Sequence, residues 1–292
     1  MEIVNKVQAN AAGTTLSIAA PLSLAAKVPQ GDVKRQDIMG VYVYENFLFG
    51  VKMTESQLKN WLEWSVRYYK QAANVTDPIF KDSVLNIADY NLDQLYGATY
   101  DIDLTMPAST ATSAGNRIKN LKINGVLVKD TDALKVAVNN YRYNGGGGFM
   151  AAAGFIPGSQ ATIDATFYNS AQVLGDDGQV RNMMFKYVQD NKTISPTNSN
   201  NWKISTTPLA STVVIAWKLI DGKWYCMNND GTWIKGWVSS GNKCYYLGND
   251  TVMKTGGALV NNKWYYLSSN GDMAFSTIIN VYKINWNGAW VQ

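Results

Sequence analysis

The apolar positions of this chain change their period along its length. After Thr54 they follow helical spacing: Leu58, Trp61, Leu62, Ser65 and Tyr69 share one face, with charged residues opposite. Thr54-Glu55-Ser56-Gln57, just ahead, is a capping box, in which the Thr hydroxyl and the Gln side chain satisfy two orphan backbone amides. Met1–Ala12 reads as a short helix stopped by Gly13, and Val180–Gln189 as a last helix. Between them the period falls to that of strands. Val41–Met53 is β-branched and aromatic, and Tyr100–Met106 and Leu134–Tyr143 alternate. Leu121–Val128 is a hairpin turning at Asn124-Gly125, a pair suited to positive φ. Helices interleaved with strands predict an α+β domain.

Further on the pattern repeats. Lys223-Trp224-Tyr225-Cys226, Lys243-Cys244-Tyr245-Tyr246 and Lys263-Trp264-Tyr265-Tyr266 recur at a period of 20 residues, kept also by Trp233, Met253 and Met273 and by Gly236 and Gly256. Turn dipeptides fall at Asp230-Gly231, Asn270-Gly271 and Asn287-Gly288, and Tyr282–Gln292 is a shortened last unit. A single such hairpin cannot bury its aromatics, whereas stacked ones can, so an all-β hairpin-repeat solenoid is expected. Eight of the ten tryptophans lie from Trp202 onward, after the turn-rich stretch Ser195–Asn201, which puts the change of architecture there. The expected organisation is a domain over 1–204, a linker over 205–215 and repeats over 216–292.

Composition then narrows the chemistry. The net charge is +4 and only 16% of residues are charged, too mild and dilute for an electrostatic nucleic-acid binder. No stretch reaches the roughly 18 to 20 apolar residues of a membrane span. Leu16–Ala26 is apolar and ends in small residues, but Glu2 stands where a signal peptide is basic, and Pro21 and Ser23 interrupt the run. The chain is therefore expected to begin inside a longer protein. It contains no histidine, which removes Ser-His-Asp and Cys-His triads and every histidine-containing zinc site. Cys226 and Cys244 are too few for a disulfide framework, sit in different columns of neighbouring repeats, and are read as free thiols. Asp101 and Asp103 share one strand face, where a solvated surface is the plainer reading than a metal site, and Asp176-Asp177-Gly178 reads as a turn. Gly145–Gly148 is not a P-loop, because Phe149-Met150 follows where Lys-Ser/Thr is required. Tyr141 and Tyr143 flank these glycines; a glycine wall beside a flat ligand and two ordinary core tyrosines are both compatible with that.

Four segments carry a family resemblance: Val41–Glu63 (VYVYENFLFGVKMTESQLKNWLE), Asp93–Asp103 (DQLYGATYDID), Arg117–Gly125 (RIKNLKING) and Asn139–Phe149 (NNYRYNGGGGF). In this order they resemble the C-terminal domain of the 5'-nucleotidase and 2',3'-cyclic-nucleotide phosphodiesterase family over roughly residues 3 to 204, nearer to the cyclic-nucleotide branch. The resemblance implies that Tyr44 and Tyr141 clamp a base between two rings, that Asn46 touches the base, and that Gly146 and Gly147 line the ligand. Gly147 stands where many 5'-nucleotidases have a ribose-binding aspartate, and Ser17–Pro21 replaces the family's phosphate-contacting Gly-Gly-Gly-Ile-Arg. The family's catalytic domain precedes this segment and uses two metal ions to activate water. No catalytic residue, metal ligand or cofactor is therefore expected in this chain, and divalent metals are expected in the catalytic domain it lacks.

The tail resembles choline-binding, or cell-wall-binding, repeats. Aromatic faces attract a quaternary ammonium by cation–π interaction, and the candidate positions are Trp217, Trp224, Tyr225, Trp237, Tyr245, Tyr246, Trp264 and Tyr265. Cys244 and Gly257 each stand where a Trp is expected. Together the resemblances imply the nucleotide- or nucleoside-binding domain of a secreted or surface-anchored nucleotidase of a Gram-positive-type cell wall, with choline or a wall polymer as second partner. The alternative is a structural or adhesive wall protein that no longer binds nucleotide.

Overall fold

The structure, a computed structural model, describes all residues except 112, 114, 196, 210–215, 229–231, 241, 242, 261, 280, 286, 287 and 292. The expected turn at Asp230-Gly231, Asn287 of the last expected turn and most of the 205–215 linker thus lie outside the described residues. Two compact units emerge: Met1–Tyr68 with Leu85–Thr99 and Lys122–Asn201, and Tyr69–Val84 with Tyr100–Leu121 and Trp202–Gln292.

The first unit is built on a mixed five-stranded sheet, in the order Gln94–Tyr96, Leu16–Ala19, Leu134–Asn139, Leu48–Met53, Thr166–Asn169. Leu16–Ala19 runs parallel to Leu134–Asn139, and Leu48–Met53 runs antiparallel to both its neighbours. The middle strand buries Val136, Ala137 and Val138 in succession, as a strand covered on both faces must. Val4 and Val7 of helix Glu2–Ala11, Ile38 of helix Arg35–Val41, and Val180 and Met184 of helix Val180–Asn191 join Leu48 and Ala137 in one apolar cluster. Helix Glu55–Ser65 has the expected capping box: Thr54 Oγ1 accepts from the Gln57 amide at 3.3 Å and Gln57 Oε1 from the Thr54 amide at 3.0 Å. Its Leu58, Trp61 and Leu62 are fully buried, each contributing about 1.5–3 kcal/mol.

Three expected strands are shorter than the pattern suggests, among them Tyr100–Met106, which ends at Asp103. Val41–Met53 divides into the end of helix Arg35–Val41, an extended segment, and strand Leu48–Met53. Tyr42 is buried while Val43 and Tyr44 are both exposed and without a ladder partner, because of the three Tyr42 alone enters the apolar cluster. Leu134–Tyr143 is a strand only to Asn139, whose side-chain oxygen accepts from the Arg142 amide at 2.9 Å and opens a helical turn over Asn140–Tyr143. The Asn124-Gly125 turn is as expected, with φ of 51° and 79°.

In the second unit, Tyr100–Asp103 of strand Thr99–Asp103 pairs in parallel with Trp202–Ser205. Buried Arg117 ties this region together, donating to the Met106 and Tyr69 carbonyls at 2.9 and 2.8 Å. Antiparallel hairpins follow: Ala216–Ile220 with Lys223–Met227, Gly236–Ser240 with Lys243–Leu247, and Gly256–Val260 with Lys263–Leu267. A last, three-stranded piece joins Thr277–Ile279, Tyr282–Ile284 and Trp290–Val291. Successive hairpins are joined by a recurring bond, the Met253 amide to the Trp224 carbonyl at 2.8 Å and the Met273 amide to the Cys244 carbonyl at 2.7 Å.

Candidate functional site

Tyr44 and Tyr141 leave the first sheet from adjacent strand ends. Leu48 pairs with Asn139, and just beyond, the Asn140 amide donates to the Phe47 carbonyl at 2.8 Å. Tyr44 lies three residues before that bond and Tyr141 one after it. Both rings stay at the surface, 54% and 48% exposed, which is unusual for large aromatics beside a core. Asn46 is half-buried and donates from Nδ2 to the Tyr42 hydroxyl at 3.3 Å. Burial pushes that hydroxyl up to about 12, so it stays protonated at neutral pH. Tyr143 belongs elsewhere: its ring stacks on Phe49 at 4.0 Å and 10°, and its hydroxyl bonds with Thr166.

The glycines shape the turn under Tyr141. A Cβ at Gly146 would stand 2.6 Å from two carbons of the Tyr141 ring, so only glycine lets the ring lie on that backbone. Gly147 has φ of 73°, and a Cβ there would meet Arg142 Nη1 at 2.6 Å. Its carbonyl accepts from Trp64 Nε1 at 2.8 Å. A side chain at Gly147 would need left-handed backbone and a shift of the Arg142 guanidinium.

The turn rests on a buried pair not foreseen from the sequence. Arg142 Nη2 meets Asp93 Oδ1 at 2.8 Å, with both side chains at most 5% exposed. Arg142 Nε also donates to Asp93 Oδ2 at 3.1 Å, and the other donors reach the Tyr90 carbonyl, Asn91 Oδ1 and the Gly146 carbonyl at 2.7, 2.9 and 3.2 Å. Asp93 Oδ2 also accepts from Trp61 Nε1 at 2.9 Å. The one available signal was an arginine in an otherwise uncharged segment, Asn139–Phe149.

Among the described residues, Asp101 and Asp103 do not fit a dimetal centre. Asp103 accepts from Thr105 and from the Leu209 amide, and Asp101 faces Asn120 and Lys203, so their lone pairs serve the protein's own donors. Among the described residues no three His, Cys, Asp or Glu side chains converge.

In the repeats the candidate aromatics separate by burial. Trp237 and Tyr265 are 6% and 3% exposed and belong to a core cluster. Trp224 and Trp264 are 42% and 46% exposed, and Trp217, Tyr225, Tyr245 and Tyr246 are half-buried. Trp217 meets both Trp224 and Tyr245 edge-on, with centroids 6.5 and 4.9 Å apart. A cavity of about 260 Å³ lies where Gly257 leaves space, walled by Trp264, Tyr266, Ile279, Tyr282 and Trp290 and without a charged side chain.

The mixed sheet with its packed helices places the first unit among α+β domains. The profile of the 5'-nucleotidase C-terminal domain matches residues 1–154, more than half of the chain, and the chain belongs to that family. A trifunctional nucleotide phosphoesterase of Bacillus subtilis is 31% identical over 186 residues, which cover 61% of this chain and 12% of that protein. A 2',3'-cyclic-nucleotide 2'-phosphodiesterase/3'-nucleotidase of Salmonella typhimurium is 31% identical over 45% of this chain and 23% of its own length. A solved structure from Staphylococcus aureus, assigned to the 5'-nucleotidases, shares the fold over 70% of this chain and 36% of its own, with a TM-score of 0.55 at 20% identity. The chain thus spans 12 to 30% of the length of the curated relatives it matches.

Proposed function

We propose that residues 1–204 recognise a nucleotide or nucleoside and that residues 216–292 form a solenoid anchoring the protein to a cell-wall polymer, with 205–215 as linker. The base lies between Tyr44 and Tyr141, Asn46 meets its edge, and the Gly146-Gly147 backbone floors the pocket. The observation that carries this reading is the pair of half-exposed tyrosines at adjacent strand ends, one resting on a glycine turn and braced from below by Arg142 and Asp93. Aromatic faces hold any base, at about 1–3 kcal/mol per stacked base. Named relatives that act on nucleotides support it. Hydrolysis belongs to a metal-bearing domain outside this chain, so this chain supplies specificity and attachment on the outer surface of the cell. In the tail, Trp217, Trp224 and Tyr245 on one side, and the Gly257 cavity with Trp264 on the other, present the ring faces that attract a quaternary ammonium such as choline.

Calorimetric titration of the protein with adenosine and AMP tests the first part. Binding is expected, and Tyr141→Ala should weaken it by about 5- to 150-fold, the equivalent of about 1–3 kcal/mol. Unchanged affinity in the variant removes the clamp; no binding by the unaltered protein favours the structural wall-protein reading. Choline should quench tryptophan fluorescence, and Trp224→Ala should reduce that response.

A further inference from the structure

The aromatic sets of the repeats are not equivalent, and the middle one is closed by this chain itself. In the first set, Trp217 meets Tyr245 at 4.9 Å with planes at 64°, beside Trp224. One repeat further on, Trp237 meets Tyr265 in nearly the same way, at 4.8 Å and 68°. Where the first set has Trp224, the second has Cys244. A thiol in place of an indole leaves a void, and a void forfeits the contacts of every atom that lines it. Met106 fills that place: its Sδ lies 4.0 Å from Cys244 Sγ. Met106 is itself 4% exposed and shares one apolar cluster with Trp237, Tyr265, Val260 and Leu267. From the same segment, Asn116 Nδ2 donates to the Trp237 carbonyl.

We propose that this second aromatic set is a socket for residues 100–121 of the same chain and not a site for a wall ligand, with Met106 and Cys244 together occupying the space of one indole. Methionine suits the task, being unbranched, adaptable and favourable against ring edges. The socket leaves little of either ring to solvent, since Trp237 and Tyr265 are 6% and 3% exposed whereas Trp224 and Trp264 are 42% and 46% exposed, although Tyr265 also lines the cavity at Gly257. Only the exclusion of a wall ligand depends on the function proposed above. The clasp itself stands on the packing.

A thiol-labelling experiment on the full chain tests the clasp without any ligand. Rates of modification of Cys244 and Cys226 by a disulfide reagent are followed by peptide mass spectrometry. Met106→Ala should speed labelling of Cys244 by about tenfold or more, because access and thiolate fraction both rise, and should leave the buried Cys226 unchanged. Met106→Leu, which conserves volume, should label as the unaltered protein does. If Met106→Ala fails to fold, Met106→Val makes the same comparison and should still label Cys244 faster. Equal Cys244 rates in the unaltered protein and the folded variant overturn the proposal. Tetramethylammonium calorimetry reads the ligand question separately: Met106→Ala should gain one site if the reading of the repeats holds, and absence of binding in every form would count against that reading alone.

Discussion

Arg142 fixes the shape of the glycine turn by spending every donor it has. It joins three stretches distant in sequence: the turn itself, the Tyr90–Asp93 segment and, through Asp93, Trp61 of helix Glu55–Ser65. A buried pair of this kind gains little over an apolar replacement, but losing one partner strands a charge, at about 3–5 kcal/mol. Asp93→Asn should therefore lower the urea midpoint by the equivalent of about 3–5 kcal/mol, measured by circular dichroism. A loss under 1 kcal/mol would show that water reaches Arg142 and that the brace is not closed. None of this was legible in the sequence, because pairing across 49 residues leaves no local trace. The backbone freedom of the glycine run was legible, since positive φ at Gly145, Gly147 and Gly148 follows from residue type, whereas Tyr44 and Tyr141 were singled out as a clamp by the family resemblance alone.

Elements that depend on neighbouring residues were the readable ones. The Thr54–Gln57 capping box and the Asn124-Gly125 turn have the expected geometry because a few adjacent residues supply all their partners. The repeat period shows as well, in hairpins whose linking bonds recur from Met253 to Met273. Boundaries set by distant partners were not readable. Strand Leu134–Asn139 stops where Asn139 turns to cap Arg142, and Val41–Tyr44 stays outside the sheet because Tyr42 enters the apolar cluster. Thr54→Ala tests the local class. Both bonds of the box are exposed and the substitution removes the hydroxyl one, so the loss should be about 1 kcal/mol in urea unfolding, with no change in nucleoside affinity. A loss above 3 kcal/mol would mean that the helix depends on its cap more than on buried Leu58, Trp61 and Leu62.

Across the whole chain, both units hold groups whose ionisation burial pushes to higher pH. In the first unit burial pushes Tyr42 up to about 12, and in the second it pushes Tyr265 to about 12 and both Cys226 and Cys244 to about 11. Each folded group keeps its proton to a higher pH than the unfolded chain does. Between its ordinary and its folded value the unfolded state has released more protons, so stability falls as pH rises. For the thiols that window runs from 9.0 to about 11 and for the tyrosines from 10.0 to about 12. The urea midpoint should therefore decline from about pH 9, and Tyr42→Phe should make the decline above pH 10 shallower. The units can be followed apart, because eight of the ten tryptophans lie from Trp202 onward and their fluorescence reports the second. That signal should weaken first, since the thiols ionise before the tyrosines. Tryptophan fluorescence that resists urea equally at pH 8 and pH 11 would mean that Cys226 and Cys244 ionise near their ordinary value in the folded protein, against the upward shift that burial imposes.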